Sequence, residues 1–85
     1  MTKYKINPKI AYRKIKDEIF VVDTENSYLH KLNETASFIW ECIKKEMSDE
    51  EIIENLIREF DVEYFEAEKD LKEFLKTLKE KNLIL

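Results

Sequence analysis

The chain has 85 residues, of which 44% are hydrophobic and 40% are charged, and its formal net charge is −4. A chain of this length is expected to form a single domain, 1–85, with a modest core and little room for an enclosed active site. Glycine is absent. This excludes glycine-rich phosphate loops, dinucleotide fingerprints and nucleophile elbows, because each needs a residue without a Cβ at fixed places.

The charge is unevenly distributed along the chain. Residues 1–32 hold seven Lys or Arg against four Asp or Glu, whereas residues 33–85 hold eight against fifteen. The second part is the one that is predicted to be helical. Its acidity disfavours nucleic-acid binding, because contacts to phosphate supply most of the affinity of proteins for nucleic acids. We expect no nucleic-acid partner.

Cysteine content and hydropathy indicate the compartment. Cys42 is the sole cysteine, so neither an internal disulfide nor a thiolate metal cluster can form within one chain. The first residues lack the apolar run of a signal peptide, and no stretch approaches the length of a membrane span. We expect a cytoplasmic protein with no membrane partner.

Three short β-like runs come first and are separated by polar connectors. They cover residues 10–15, 19–22 and 27–32. Short connectors favour an antiparallel meander, and without glycine its tight turns are expected to rely on Asn or Asp.

The hydrophobic period then changes to that of helices. Asn33 is a good N-cap for a first helix over about 34–46, and Ser48 with Glu51 forms a capping box for a second helix over about 49–59. A third helix is predicted over about 64–81, with Asn82 as a left-handed C-cap, after which residues 83–85 return to the core. Three antiparallel strands followed by three helices give one α+β domain that is arranged like a winged helix-turn-helix.

The third strand runs into the first helix without a linker. A strand at such a junction can present an open edge, and an open edge can recruit an extended peptide as an added strand. The predicted docking edge consists of Ser27, Tyr28, Leu29, His30, Lys31 and Leu32. Alternation places residues 28, 30 and 32 on one face and 27, 29 and 31 on the other. The sequence does not decide which face meets the helices, although its aromatic and leucine content favours Tyr28 and Leu32 inward.

Several features, taken together in their order and spacing, resemble the PqqD family, named after the D protein of pyrroloquinoline quinone biosynthesis. They are Pro8, the run Leu32-Asn33-Glu34-Thr35-Ala36, the pair Ile39-Trp40, the helix start from Ser48 to Ile53, and Phe74-Leu75 followed by Leu78 and Leu83. The resemblance extends from about residue 8 to residue 85. One departure is visible, because many family members carry an Asp-Gly pair between the first two helices, where this chain has Lys44-Lys45-Glu46-Met47.

The resemblance implies a recognition element for ribosomally made, post-translationally modified peptides. In such modules the leader segment of a precursor peptide lies along the third strand, and the third helix forms the other wall of the groove. The bound leader is delivered to a modifying enzyme, often a radical enzyme that uses S-adenosylmethionine and an iron–sulfur cluster. The module itself is not an enzyme and needs no cofactor.

Two flanks of the third helix compete as the groove wall. The first, which we prefer, presents Phe65, Lys69, Lys72, Leu75 and Lys76 and would suit a leader with large apolar anchors and acidic residues. The second presents Asp70, Phe74, Thr77 and Lys81. Each of these residues also has a purely structural interpretation, as a core residue or as part of a solvated helix face.

Two other functions are weighed against peptide binding. A DNA-binding winged helix is suggested by the architecture alone, and the second helix opposes it with five acids against the single Arg58. The third is a structural adaptor that forms a homodimer, through strand-edge pairing or through a swapped strand element. Catalysis is not expected, because no nucleophile, metal cluster or acid-base pair is apparent and His30 is the sole histidine.

Overall fold

The computed structural model describes residues 3–23 and 28–85, and it has the predicted order of three strands and three helices. The strands are β1 (Ile10–Ile15), β2 (Glu18–Asp23) and β3 (Tyr28–Lys31). The helices are α1 (Glu34–Lys44), α2 (Asp49–Phe60) and α3 (Tyr64–Glu80). The predicted α+β fold with a winged helix-turn-helix-like order is therefore confirmed, and the predicted boundaries differ from the observed ones by at most two residues.

The strands form one antiparallel sheet in the order β1-β2-β3, so β3 lies at an edge. Phe20 is opposite Lys31 and Val22 is opposite Leu29. β1 and β2 are joined by Lys16 and Asp17, and it is Lys16 that has a positive φ, of 59°. The expectation that Asn or Asp supplies this conformation is wrong for that turn. A lysine adopts the left-handed region there, in spite of the steric cost to its Cβ.

The junction between β3 and α1 is fixed by hydrogen bonds to β2. The N–H of Leu32 donates to the carbonyl of Ile19 over 2.8 Å. The buried hydroxyl of Ser37 accepts from the N–H of Ile19 (3.0 Å) and donates to the carbonyl of Leu32 (3.2 Å). Asn33 caps α1 as predicted, since its side-chain oxygen accepts from the N–H of Ala36 over 2.8 Å. One turn of α1 is thereby held against the end of the sheet.

The capping box that begins α2 is confirmed. The Ser48 hydroxyl accepts from the N–H of Glu51 (3.3 Å), and the Glu51 carboxylate accepts from the N–H of Ser48 (2.9 Å). The Ser48 N–H that donates to the Glu51 carboxylate, together with the Ser48 hydroxyl, lowers the pKa of that carboxyl group. The two bonds satisfy donors that the start of a helix otherwise leaves free.

Two helices end in Schellman motifs, each built on a residue with positive φ. Asn82 has the predicted left-handed conformation after α3, with a φ of 57°. Glu46, with a φ of 58°, occupies the same position after α1. There the N–H of Met47 donates to the carbonyl of Cys42 (3.2 Å) and that of Glu46 to Ile43 (2.9 Å). Glu46 thus adopts the backbone conformation that a glycine favours, in the loop where many PqqD proteins carry Asp-Gly.

The core lies between the inner face of the sheet and the three helices. Trp40, Ile19 and Ile52 are completely buried. The segments at 5–6 and 84–85 lie side by side. Ile6 pairs with Ile84, and the N–H of Leu85 donates to the carbonyl of Lys5 over 2.9 Å. Leu83 and Ile84 are buried as predicted, whereas Leu85 is 73% exposed.

Candidate peptide-binding site

The candidate site begins at the free side of β3. In an antiparallel ladder, residues alternate between those whose main-chain groups bond the neighbouring strand and those whose groups point away from it. The bond from Leu32 to Ile19 fixes this phase, so residues 28, 30 and 32 bond β2. The N–H and C=O groups of Leu29 and Lys31 therefore point outward, and we call these groups the open edge.

The side chains of β3 divide between two faces. Leu32 is 7% exposed and packs in the core, as predicted. Leu29 is 66% exposed on the outer face, where Lys31 forms an exposed ion pair with Glu18 over 3.1 Å. Ser27 and the side chain of Tyr28 lie outside the described residues.

His30 connects β3 with the end of α3. Its side chain is half-buried on the inner face, opposite the buried Val21. Burial lowers the pKa of His30, and the charge of Lys81 lowers it further. Lys81 is the C-cap of α3, so this end of the helix lies next to the inner face of β3.

Each flank of α3 borders a separate pocket. The α1–α3 pocket has a volume of about 330 Å³ and lies where the chain passes from β3 into α1. Its lining comprises Asn33, Thr35, Ala36, Ile39, Asp70, Glu73, Phe74 and Thr77. The α2–α3 pocket, of about 470 Å³, lies on the other flank. Its lining comprises Tyr4, Asp49, Glu50, Ile53, Glu68, Leu71, Lys72, Leu75, Lys76, Lys79 and Glu80.

The structure does not bring the preferred lysine flank together with β3. Lys72, Leu75 and Lys76 line the α2–α3 pocket. Leu75 is buried, while Lys69 and Phe65 are exposed and line neither of the two pockets. A peptide contact at these five residues stays a prediction, and their placement does not support the lysine flank as the wall beside β3.

The second flank of α3 lies on the side of β3 and α1. Phe74 and Thr77 share the α1–α3 pocket with Ala36 and Ile39, and Lys81 is next to His30. The reason is the packing of α3 on α2 through Leu71 and Leu75, which turns the lysines toward α2. Thr35, Ala36 and Ile39 were not predicted as site residues, because the helical period identifies a buried face but not which neighbouring helix it meets.

Metal-ligating side chains and the cysteine were located among the described residues. Nowhere in 3–23 and 28–85 are three His, Cys, Asp or Glu side chains grouped so that they could hold a metal ion. Burial raises the pKa of the Cys42 thiol to about 11, which keeps it neutral and a poor nucleophile at neutral pH. The helices of this same part of the chain are too short or too polar to cross a membrane.

Comparisons with known proteins agree with this geometry. The family model of coenzyme PQQ synthesis protein D (PqqD) matches residues 18–84. A search of the curated proteins found no match. Among solved structures, TbiB1 in complex with the TbiA(beta) leader peptide has a TM-score of 0.89 and 28% identity, over 94% of this chain and 93% of that one.

A second solved structure shares the fold. Lasso peptide synthetase B1 complexed with the leader peptide has a TM-score of 0.90 and 24% identity, over 99% of both chains. Since the PqqD model matches most of the sequence, from β2 to the last buried residue of the core, this chain belongs to the PqqD family.

Proposed function

We propose that this protein binds the leader segment of a ribosomally synthesised precursor peptide and presents it to a modifying enzyme. The observation that carries the proposal is the open edge of β3, whose inner face lies next to the end of α3 at His30 and Lys81. Two solved structures of the same fold are complexes with leader peptides. The identity of the first, 28%, makes it the more informative relative.

Binding by strand addition follows from the main-chain geometry. The leader would donate to and accept from the open edge at Leu29 and Lys31, and these bonds supply affinity with little demand on sequence. Successive leader side chains would then point to opposite faces. One set would enter the groove toward α3 and the α1–α3 pocket, and the other would lie beside the exposed Leu29.

The protein would act as a non-catalytic chaperone of the peptide in the cytoplasm. Its sole cysteine is buried, and its sole histidine is part of the strand that receives the leader. The family resemblance suggests a radical S-adenosylmethionine enzyme as the recipient, whereas the name of one solved relative suggests the enzymes that make lasso peptides. A precursor gene and an enzyme gene in neighbouring reading frames would decide between these two classes.

A proline at position 29 tests strand addition directly. Leu29→Pro removes an outward N–H and places a ring where the leader would pair, but it leaves the bonds between β3 and β2 intact. We expect leader affinity to fall at least about tenfold, because a main-chain hydrogen bond is lost and strand approach is blocked. Fluorescence polarisation with labelled leaders, that of the adjacent precursor and that of TbiA(beta), measures the change.

Two controls accompany this experiment. Leu29→Ala keeps the N–H while removing the exposed side chain, so it should bind much more tightly than the proline variant. Circular dichroism should show that both variants are folded. A folded Leu29→Pro protein that binds the leader as tightly as the wild type would refute strand addition at β3.

The two other functions give different results. A DNA-binding winged helix would retard DNA in a mobility-shift assay at low salt, and the complex would dissociate as salt is added. The first turn of α2 opposes this function, because it holds Asp49, Glu50 and Glu51, which repel phosphate. A homodimer through strand-edge pairing would use the same open edge as the leader. Light scattering would then report a dimer that the leader converts to a monomeric complex.

A further inference from the structure

The α1–α3 pocket has an acidic wall. Asp70 and Glu73 line it, and no lysine or arginine is among the described residues that do so. Neither carboxylate forms an ion pair within 4.0 Å with any residue of the described ranges. The α2–α3 pocket differs because its charges are mixed in sign: Lys72, Lys76 and Lys79 border it together with Asp49, Glu50, Glu68 and Glu80.

The floor of the α1–α3 pocket is apolar and partly open to solvent. Ile39 is buried, whereas Ala36 and Phe74 are half-buried. Two polar groups nearby already bond the backbone of this chain, because the Thr77 hydroxyl donates to the carbonyl of Glu73 (3.2 Å) and Asn33 caps α1. The pocket therefore presents apolar carbon, the half-buried Thr35 and two carboxylates to a ligand, and the carboxylates are its only charged groups among the described residues.

From this lining we infer that the leader of this protein carries an apolar side chain followed or preceded closely by a Lys or Arg. The apolar side chain packs against Ala36, Ile39 and Phe74, and the cation pairs with Asp70 and Glu73. The inference rests on the proposed function and specifies the peptide that the groove selects. It reverses the acidic leader that the lysine flank would have favoured.

The position of the pocket locates this element within the leader. The pocket lies beyond Lys31, where the chain leaves β3 and begins α1. The cation therefore belongs to the part of the leader that extends past the carboxyl end of β3. An apolar neighbour partly shields the pair from water, which strengthens a surface ion pair that alone contributes little.

Selection from a random peptide library tests this directly. The full chain is immobilised and used to select from an mRNA-displayed library of random peptides of about twelve residues, a length that spans β3 and the pocket. We expect enriched peptides to share a Lys or Arg within two positions of an aromatic or aliphatic residue. Exchange of that cation for Glu should weaken binding about fivefold, the magnitude of a well-formed, partly exposed ion pair.

Charge reversal identifies the pocket that is responsible. The double variant Asp70→Lys, Glu73→Lys should select peptides with Asp or Glu in place of the cation. The matched variant Lys72→Glu, Lys76→Glu, on the opposite flank, should leave the selected charge unchanged. A charge preference that is absent, or that responds to the second variant and not to the first, overturns the inference.

The proline variant separates this inference from the proposed function. If the selected peptides lose binding to Leu29→Pro but show no charge preference, strand addition stands and the acidic pocket does not select the leader. If the selected peptides bind Leu29→Pro unchanged, strand addition at β3, on which the proposed function rests, fails.

Discussion

Ser37 connects three elements through one hydroxyl. The side chain is 3% exposed, and it bridges the N–H of Ile19 in β2 and the carbonyl of Leu32 at the end of β3. This bond sets the distance between α1 and the strand that bears the open edge. A single serine thus positions the start of α1 against the strand that bears the open edge.

Replacement of Ser37 by Ala should destabilise the fold. The variant leaves the buried N–H of Ile19 without its acceptor, which costs about 1–3 kcal/mol of the free energy of unfolding. Urea denaturation measures the loss. Thr77→Ala, which removes an exposed hydroxyl bonded only to its own helix, is the matched control and should change stability by less than about 0.5 kcal/mol. Equal effects of the two substitutions would contradict the bridging role of Ser37.

His30 should make stability depend on pH near neutrality. Its folded-state pKa is lowered by burial and by Lys81, so the unfolded chain takes up a proton first as the pH falls through about 6.5. Protonation then favours the unfolded state, and the free energy of unfolding decreases. The pKa of Glu51 is also lowered, but a carboxyl group changes stability only at more acidic pH than a histidine does.

Urea denaturation at about pH 7.5 and about pH 5.5 brackets the ordinary pKa of histidine and measures this effect. The wild type should lose stability between the two pH values, and His30→Gln, which stays neutral, should lose less. An identical loss in both proteins would assign the pH dependence to other groups.

At the scale of elements, α1 ends at a residue whose backbone conformation is energetically unfavourable for its type. Glu46 has a φ of 58°, a conformation that costs a residue with a Cβ about 1–2 kcal/mol. Its exposed ion pair with Lys5, at 3.9 Å, offsets little of that cost. The hydrogen bonds of the Schellman motif and the burial of Ile43 hold the residue in place.

Glu46→Gly should therefore stabilise the protein. We expect the free energy of unfolding to rise by about 1 kcal/mol, because glycine enters the left-handed region without the steric cost and loses part of the gain to its greater unfolded-state entropy. Asn82→Gly, at the equivalent position after α3, should change stability less, since asparagine tolerates this conformation. Urea denaturation of both variants measures the difference, and a Glu46→Gly protein less stable than the wild type would show that no strain is relieved.

At the scale of the whole molecule, leader binding and folding are linked. A ligand that binds only the folded chain raises its apparent stability, by about 2.7 kcal/mol when the free ligand is at 100 times its Kd. The open edge of β3 is the surface that the leader would cover. Binding should therefore be visible both as greater stability and as local protection.

Hydrogen exchange with and without the leader tests this linkage. The amides of Leu29 and Lys31, which point away from β2, should gain protection, and thermal unfolding should shift to higher temperature. Leu29→Pro should show neither change. Greater stability without protection at Leu29 and Lys31 would place the peptide on another surface.

The sequence identified the elements because their signals are local. Strand runs with short polar connectors, apolar residues at helical spacing, the capping box at Ser48 and the left-handed Asn82 each depend on residues within a few positions of one another. The edge position of β3 also followed from the sequence, since short connectors leave a meander few alternatives. Glu46 was not anticipated as a left-handed residue, because its conformation is imposed by the helix that it ends and not by its own preference.

The orientation of α3 was decided by the tertiary structure. The helical period shows that Leu71, Leu75 and Leu78 are buried, but both flanks of that face are amphipathic and satisfy the pattern equally. Packing of Leu71 and Leu75 toward α2 turns the lysines away from β3 and brings Phe74 to Ala36 and Ile39. Sequence alone therefore determined that β3 offers an edge, and only the packing between helices determined that Asp70 and Glu73, rather than the lysines, border the pocket between α1 and α3.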